Sequence, residues 1–520
     1  MSKYLMAIDA GTGSLRSVIF DLEGNQISVS QQEWTHNEDP RYPGSMDFDV
    51  DANYDIMMHC AKDSIVKSKI NPKDIVAISS TAMREGIVLY DKDGKEIWAC
   101  ANVDARANQE VAQLKAISEQ LEQEIYSVSG QTFALGAIPR ILWVKNHMPE
   151  VYEKVTTVNM LNDWITYKLT GILSVEPSNG CTTGIFDLKS RKWDTQIAAK
   201  CGIKDDIYPA VYECGEVIGK ILPKMAAELS LSEECLIVAG GGDANLGSVG
   251  VGVCKAGQAT LFGGSFWQLE YNVDNPITDK DCRTRINCHI MKDTWQNEMI
   301  AFFPGLVMRW FRDAFCQMEK QIAEERGISA YTVLEEQAKD VPVGSHGMLC
   351  SFSSVMDYKE WKHASPAFVN FNIDPEKFNK GTFYKALMEN AALVTLGHAK
   401  IIEELNNVVI DEIIFASGAA NSPLWCQIVS DVLGATIKVP VVKEATALGT
   451  AICAGVGAGI YESIDSAAQK LVKIEKEYQP NMDNHKKYLE IFNTWQSINK
   501  TQMINSDKGL ISHMWKAPGL

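Results

Sequence analysis

The chain has 520 residues, and at roughly 100–200 residues per domain it holds two to four packed units. With 46% hydrophobic and 22% charged residues, its composition is that of a globular protein and excludes extended disorder. A net charge of -17 repels nucleic acid and anionic membranes, so an anionic ligand needs a local site built from backbone N–H groups and a metal. The 13 cysteines form no C-x-x-C pair, which leaves neither a zinc ribbon nor a thioredoxin-type motif and reads as reduced, buried thiols in a cytoplasmic protein.

The opening Met1-Ser2-Lys3-Tyr4 runs directly into an apolar strand, without the apolar region of about 7–15 residues that a signal peptide needs. Residues 4–8, 16–20 and 26–29 read as a β-meander whose first turn, Asp9-Ala10-Gly11-Thr12-Gly13-Ser14, is rich in glycine and hydroxyls. An apolar strand over 76–80 leads into Met83-Arg84-Glu85-Gly86, and Asn102-Val103-Asp104-Ala105-Arg106 adds polar groups soon after. Val111, Leu114, Ile117, Leu121 and Ile125 lie on one stripe and predict a single amphipathic helix. A second cycle opens near residue 235: an apolar run over 235–239, the turn Gly240-Gly241-Gly242-Asp243, and a strand over 258–262 before Gly263-Gly264-Ser265. Asp243 then reads as the counterpart of Asp9 in a duplicated chain. Residues 412–415 form a strand before Ser417-Gly418-Ala419-Ala420-Asn421-Ser422. The uncharged run over 445–461 is interrupted by glycines and is shorter than the ~18 apolar residues of a membrane span, which predicts a buried small-residue helix. The last ~60 residues are charged and helical in pattern and are expected to wrap back over one half.

The turns carry the chemistry. Asp9 sets a metal-directed carboxylate beside backbone N–H groups and the hydroxyls of Thr12 and Ser14, donors that suit phosphate oxygens. Neither G-x-x-x-x-G-K-S/T nor G-x-G-x-x-G is present, so the loop is not a P-loop or a dinucleotide fingerprint. Arg16, just inside the next strand, is placed to reach back to a phosphate. Asp243, delivered by three glycines, suits a general base that relieves an attacking hydroxyl of its proton late in phosphoryl transfer. Gly263 and Gly264 offer a second bare-backbone turn to phosphate, and the 417–422 turn admits a planar base. Arg84 and Glu85 are placed to bind vicinal hydroxyls or a carbonyl.

These strings resemble the FGGY carbohydrate kinases of the actin/hexokinase/chaperone-like ATPase superfamily. The resemblance covers nearly the whole chain: DAGTGSLRS, MRE, GAIPRILWV, GGGD, FGGS, PGLVMRWFRD, SGAANSPLWCQIVSD and KEATALGTAICAGVG. It implies an α/β fold of two ribonuclease-H-like domains with a cleft between them, divided here as 1–248 and 249–520. It also implies ATP-dependent phosphorylation of a small polyol-like molecule, with Mg2+ near Asp9 and Asp243 and with Asp243 as base. Thr12, Gly13, Ser14 and Arg16 match the family's first phosphate loop. Gly263 and Gly264 match the second, where Gly264 replaces a common threonine. Gly305 matches a glycine near the nucleotide. Gly418, Ala419 and Ser422 fall in the adenosine motif, usually GGG and here Ser417-Gly418-Ala419. Arg84 and Glu85, joined by Asp104, match the substrate grip, and Ala244 replaces the glutamine found after the base in glycerol kinases, which argues against glycerol. The longer strings REGIVLYD, IWACANVDARA, MRWFRDAFC and WKAPGL are most like a subgroup that phosphorylates the terminal hydroxyl of a small linear dihydroxydione signal. A pentulose or other sugar kinase, and an actin-like ATP-binding module whose work is conformational, are the alternatives. Some members of the family are regulated by phosphocarrier proteins, and a monomer or homodimer is expected.

Overall fold

The computed structural model describes residues 3–442 and 444–520; the Met1-Ser2 part of the N-terminal reading and Lys443 of the KEATALG string lie outside the described residues. The first sheet contains β1 (Tyr4–Ala10), β2 (Ser14–Phe20), β3 (Gln26–Glu33), β4 (Ile75–Ala82), β5 (Val217–Lys220) and β6 (Leu236–Gly242), in the order β5-β6-β4-β1-β2-β3. The β1-β2-β3 meander is antiparallel, while β1, β4 and β6 are parallel. Helix α1 (Val50–Ser68) covers β2 and β3 and starts at Asp49, whose carboxylate accepts the Ala52 N–H.

Two helices occupy the stretch expected to form one: α2 (Asn108–Ile117) and α3 (Leu121–Ser129). Ser118 between them is extended, and its hydroxyl accepts the Gln120 N–H. This is the local competition through which serine interrupts a helix that the apolar spacing alone would continue. Ile117, at the break, is exposed.

Helix α4 (Asp243–Gly250) follows β6. The second sheet contains β7 (Ala259–Gly263), β8 (Trp267–Val273), β9 (Arg285–Cys288), β10 (Trp295–Ala301), β11 (Glu412–Ala416), β12 (Thr436–Pro440) and β13 (Ile474–Tyr478), in the order β9-β10-β8-β7-β11-β12-β13. Strands β7, β8 and β10 form an antiparallel meander, and β7, β11 and β12 are parallel. The two sheets therefore repeat one topology, a meander flanked by parallel strands, and the fold is the two-part ribonuclease-H-like arrangement. The register of the duplication differs from the sequence expectation. The run over 235–239 belongs to β6, a late strand of the first sheet, so the second cycle begins at β7 and Asp243 is not the positional counterpart of Asp9.

The helices that bear on the cleft are α5 (Pro304–Phe315), α6 (Lys380–Asn406), α7 (Pro423–Leu433) and α8 (Ala445–Gly457), while α9 (Met482–Asp507) packs on α7 and α6. Helix α8 is the small-residue segment. It packs on β1, β4 and β6 of the first sheet, with Ala447, Leu448, Ala451 and Ile452 against Leu5, Ala7 and Val238. Its approach to α4 is backbone-close: a Cβ on Gly449 would lie 2.0 Å from the Leu246 carbonyl oxygen, and one on Gly250 would lie 1.8 Å from that of Ala445. The division at 248/249 falls inside α4. Another core runs continuously from Trp143 and Phe186 of the first half to Trp267, Phe311 and Trp495 of the second. No helix among the described residues is long and apolar enough to cross a membrane.

Candidate active site

Asp9 near the carboxyl end of β1, and the Arg84–Glu85 turn and Asp243 just after the carboxyl ends of β4 and β6, lie on three neighbouring parallel strands, which is where open α/β sheets bind ligands. Register brings Asp9 opposite Arg16 on β2. The Arg16 guanidinium lies 3.6 Å from the Asp9 carboxylate and 3.5 Å from Glu444, at the start of α8. Burial raises the Asp9 pKa to about 7; Arg16 opposes the rise, and the nearby Asp243 and Glu444 add to it.

Asp243 opens α4. One carboxylate oxygen, Oδ1, accepts the Ala244 N–H at 2.8 Å and lies 3.6 Å from Nε of Arg84. Burial raises its pKa, with Arg84 and the Ala244 N–H opposing. Arg84 is buried, and its stem explains Gly242: a Cβ there would lie 2.8 Å from Arg84 Cδ. The guanidinium pairs with Glu298 through Nη2, while Nε and Nη1 have no hydrogen-bond partner among the described residues.

Glu85 has φ +66°, in the left-handed region that non-glycine residues seldom occupy. Its carboxylate accepts from Arg285 at 2.6 Å, and its carbonyl is held by Arg140. Arg140 also donates to the carbonyls of Asn102 at 2.6 Å and Asp104 at 2.8 Å, tying the two loops together. The Asp104 carboxylate is not presented to the cleft. It is buried and accepts the Met46 N–H at 2.7 Å and Arg106 Nε at 2.8 Å, bracing the loop below Arg84.

On the β1–β2 turn, Thr12 Oγ1 accepts from Asn102 at 3.1 Å, and Ser14 Oγ accepts from Gln31 at 3.3 Å. A Cβ on Gly13 would meet nothing within 4 Å. Thr12, Gly13 and Ser14 flank Asp9 without lining the two cavities that fill the cleft. The first, about 470 Å³, joins Gly263, Gly264, Gly305, Gly418, Ala419 and Ser422 with Tyr331 and Trp425. The second, about 500 Å³, runs from Gly418 and Asn421 past Ser417 and Thr446 to Arg16 and Asp9. Because they share Gly418 and Asn421, they make one elongated channel from an apolar pocket to the buried carboxylate. Gly305, on α5, is required by contact: a Cβ there would lie 1.9 Å from the Gly264 carbonyl oxygen. Ser417 has φ +75° and ψ -170°, a conformation almost confined to glycine. Ser422 caps α7 by accepting the Trp425 N–H at 3.1 Å.

No group of three or more His, Cys, Asp or Glu residues among the described residues is arranged to hold a metal. The buried, underneutralised Asp9 with Asp243 nearby suits a hard cation that takes its remaining ligands from phosphate oxygens and water.

The sequence reading did not include Arg140, Glu270, Arg285, Glu298 or Glu444. A charged residue inside the apolar run GAIPRILWV was the signal for Arg140. Glu270, Arg285 and Glu298 sit on strands whose period-two alternation reads as a wet face, whereas all three are buried.

Residues 4–250 match the N-terminal domain, and residues 273–458 the C-terminal domain, of the FGGY family of carbohydrate kinases. The chain is 48% identical over 518 residues to an autoinducer-2 kinase of Enterobacter sp. (strain 638), covering 99% of this chain and 98% of that protein. It is 46% identical over 519 residues to one of Photorhabdus laumondii, covering 100% and 98%. The fold is shared with a ligand-bound xylulose kinase from Lactobacillus acidophilus, with a TM-score of 0.85, 20% identity and coverage of 97% and 99%. It is also shared with a Plasmodium falciparum glycerol kinase with ADP, with a TM-score of 0.83, 17% identity and coverage of 96% and 98%. With both family domains matched in order along the chain, it belongs to the FGGY family of carbohydrate kinases.

Proposed function

We propose that the chain is an ATP-dependent autoinducer-2 kinase that transfers the γ-phosphoryl group to the C5 hydroxyl of linear 4,5-dihydroxy-2,3-pentanedione. The carrying observation is that Asp243, with Arg84 3.6 Å away, lies near enough to Asp9 at the end of the channel to act on its charge; the near-full-length identity to autoinducer-2 kinases supports the acceptor. The base of ATP lies in the pocket of Gly305, Gly418, Ala419 and Ser422, and its phosphates run over the 263–265 turn toward Asp9 and Arg16. Asp9, with Asp243 nearby, would hold Mg2+, which would supply charge neutralisation of the phosphate oxygens. Oδ1 of Asp243 is engaged by the Ala244 N–H, which leaves Oδ2 to take the proton of the C5 hydroxyl. In a loose phosphoryl-transfer transition state that proton leaves late, so a carboxylate is a sufficient base. Nε and Nη1 of Arg84 meet acceptor oxygens and orient the hydroxyl. The phosphorylated product is anionic and stays in the cytoplasm, where ATP and the free thiols of this chain also belong.

The test is a panel of the dione, xylulose, gluconate and glycerol in an ADP-release assay, with mass spectrometry of the products. The reading expects the dione phosphate as the main product. Preferential phosphorylation of xylulose would replace the acceptor, and ATP hydrolysis without any phosphorylated acceptor would replace the kinase reading.

A further inference from the structure

A row of charge crosses the second sheet. Arg285 on β9 is directly opposite Glu298 on β10, which is directly opposite Glu270 on β8. All three are buried. Two carboxylates facing each other across strands destabilise a sheet, and buried charge is costly unless paired. This sheet keeps both. Arg285 bonds Glu298 at 3.0 Å and crosses to the first half of the chain, donating to Glu85 at 2.6 Å and to Gln131 at 3.0 Å. Arg84 crosses in the opposite sense and pairs with the other oxygen of Glu298. Burial and the adjacent Glu298 push the Glu270 pKa well up, whereas Arg84 and Arg285 hold that of Glu298 below the ordinary value against the effect of burial.

Arg84 has two carboxylates within reach. Its Nη2 is on Glu298, and its Nε stands 3.6 Å from Asp243, too long for a hydrogen bond. If Glu298 lost its charge, the nearest anion for this buried guanidinium would be Asp243, and a close Arg84–Asp243 pair would occupy the carboxylate and engage Nε, which is buried without a partner. We propose that Glu298, seated between Arg285 and Glu270, is a positioning residue that holds Arg84 off Asp243 and aims its free N–H groups at the acceptor. The second sheet thereby contributes to acceptor binding as well as to the nucleotide side of the channel, through a contact that exists only when the two halves are seated together.

The inference rests on the kinase reading, and its test uses the acceptor that the wild-type protein turns over best. Glu298→Gln preserves size and removes the charge. Loss of a charge-assisted contact predicts an acceptor KM raised about 10-fold or more and a lowered kcat, with the ADP Kd within about twofold of wild type because the 263–265 and 417–422 turns are untouched. Glu298→Asp retains the charge and is expected to fall between wild type and Glu298→Gln. The inference is overturned if Glu298→Gln leaves the acceptor KM and kcat within about twofold, if ADP affinity falls by the same factor as acceptor affinity, or if Glu298→Asp is no better than Glu298→Gln. Where Glu298→Gln fails to fold, Glu298→Asp decides against wild type: a raised acceptor KM at constant ADP Kd supports the inference, and equal losses overturn it. A wild-type protein that phosphorylates no acceptor removes the kinase reading along with it, whereas normal wild-type turnover with insensitive variants removes the inference alone.

Discussion

Asp9 costs the protein stability when it stands without a cation. Its pKa of about 7 in the fold lies above the 3.8 of an ordinary aspartate, so the penalty is absent below about pH 4, grows as pH rises, and is complete above about pH 7. At 1.36 kcal/mol per unit this amounts to as much as about 4 kcal/mol. Asp9→Asn is therefore expected to be more stable than wild type at pH 8 and nearly equal to it near pH 4 in metal-free urea titrations, while losing Mg-ATP turnover. Equal stabilities at both pH values would show that the carboxylate is not held as described. Ser417 is the second residue whose environment conflicts with its chemistry. At φ +75° and ψ -170° a side chain costs ~1–3 kcal/mol, and Ser417→Gly recovers it less the ~0.5–1 kcal/mol entropic cost of glycine. The expected gain is about 1 kcal/mol in chemical denaturation with ADP affinity retained; destabilisation would contradict the strain.

Among the elements, the N-terminal turn of α5 is held against the turn after β7. A methyl group at 305 would lie 1.9 Å from the Gly264 carbonyl oxygen, and only movement of the 263–265 turn relieves that overlap. At ~1–3 kcal/mol for overpacking, Gly305→Ala is expected to weaken ADP binding by about 10-fold, read by calorimetry; an unchanged Kd would place the nucleotide elsewhere. The elements were legible where their signals are local. The 4–29 meander, the turn that follows Gly263 and the small-residue helix α8 follow from strand alternation, turn chemistry and composition, whereas Gly240, Gly241 and Gly242, read as a turn, are the last residues of β6. The break between α2 and α3 was not legible, because the apolar stripe continues through Ser118 while its hydroxyl redirects the backbone. Strand β6 reads as the opening of a second cycle, although the 248/249 division leaves it in the first half, because a short apolar run carries no mark of its place in a sheet. Glu270, Arg285 and Glu298 escaped notice because alternation fixes which residues share a face and leaves open whether the face is wet.

At the scale of the whole molecule, the two sheets are not separable units. Helix α8 of the second half completes the packing of the first sheet, its Gly449 meets the Leu246 carbonyl of α4, and Arg84 and Arg285 cross in opposite directions between the halves. The labour is nevertheless divided: the second sheet lines the pocket at the apolar end of the channel, and the first carries the carboxylates at the other. The division is tested by removing the proposed proton acceptor and leaving the proposed nucleotide pocket intact. In Asp243→Asn, the ADP-release rate with acceptor present and the ADP Kd are measured on the same preparation. We expect kcat to fall by ~100-fold or more, the scale of a general base, with Kd within about twofold of wild type; an unchanged kcat would contradict the account.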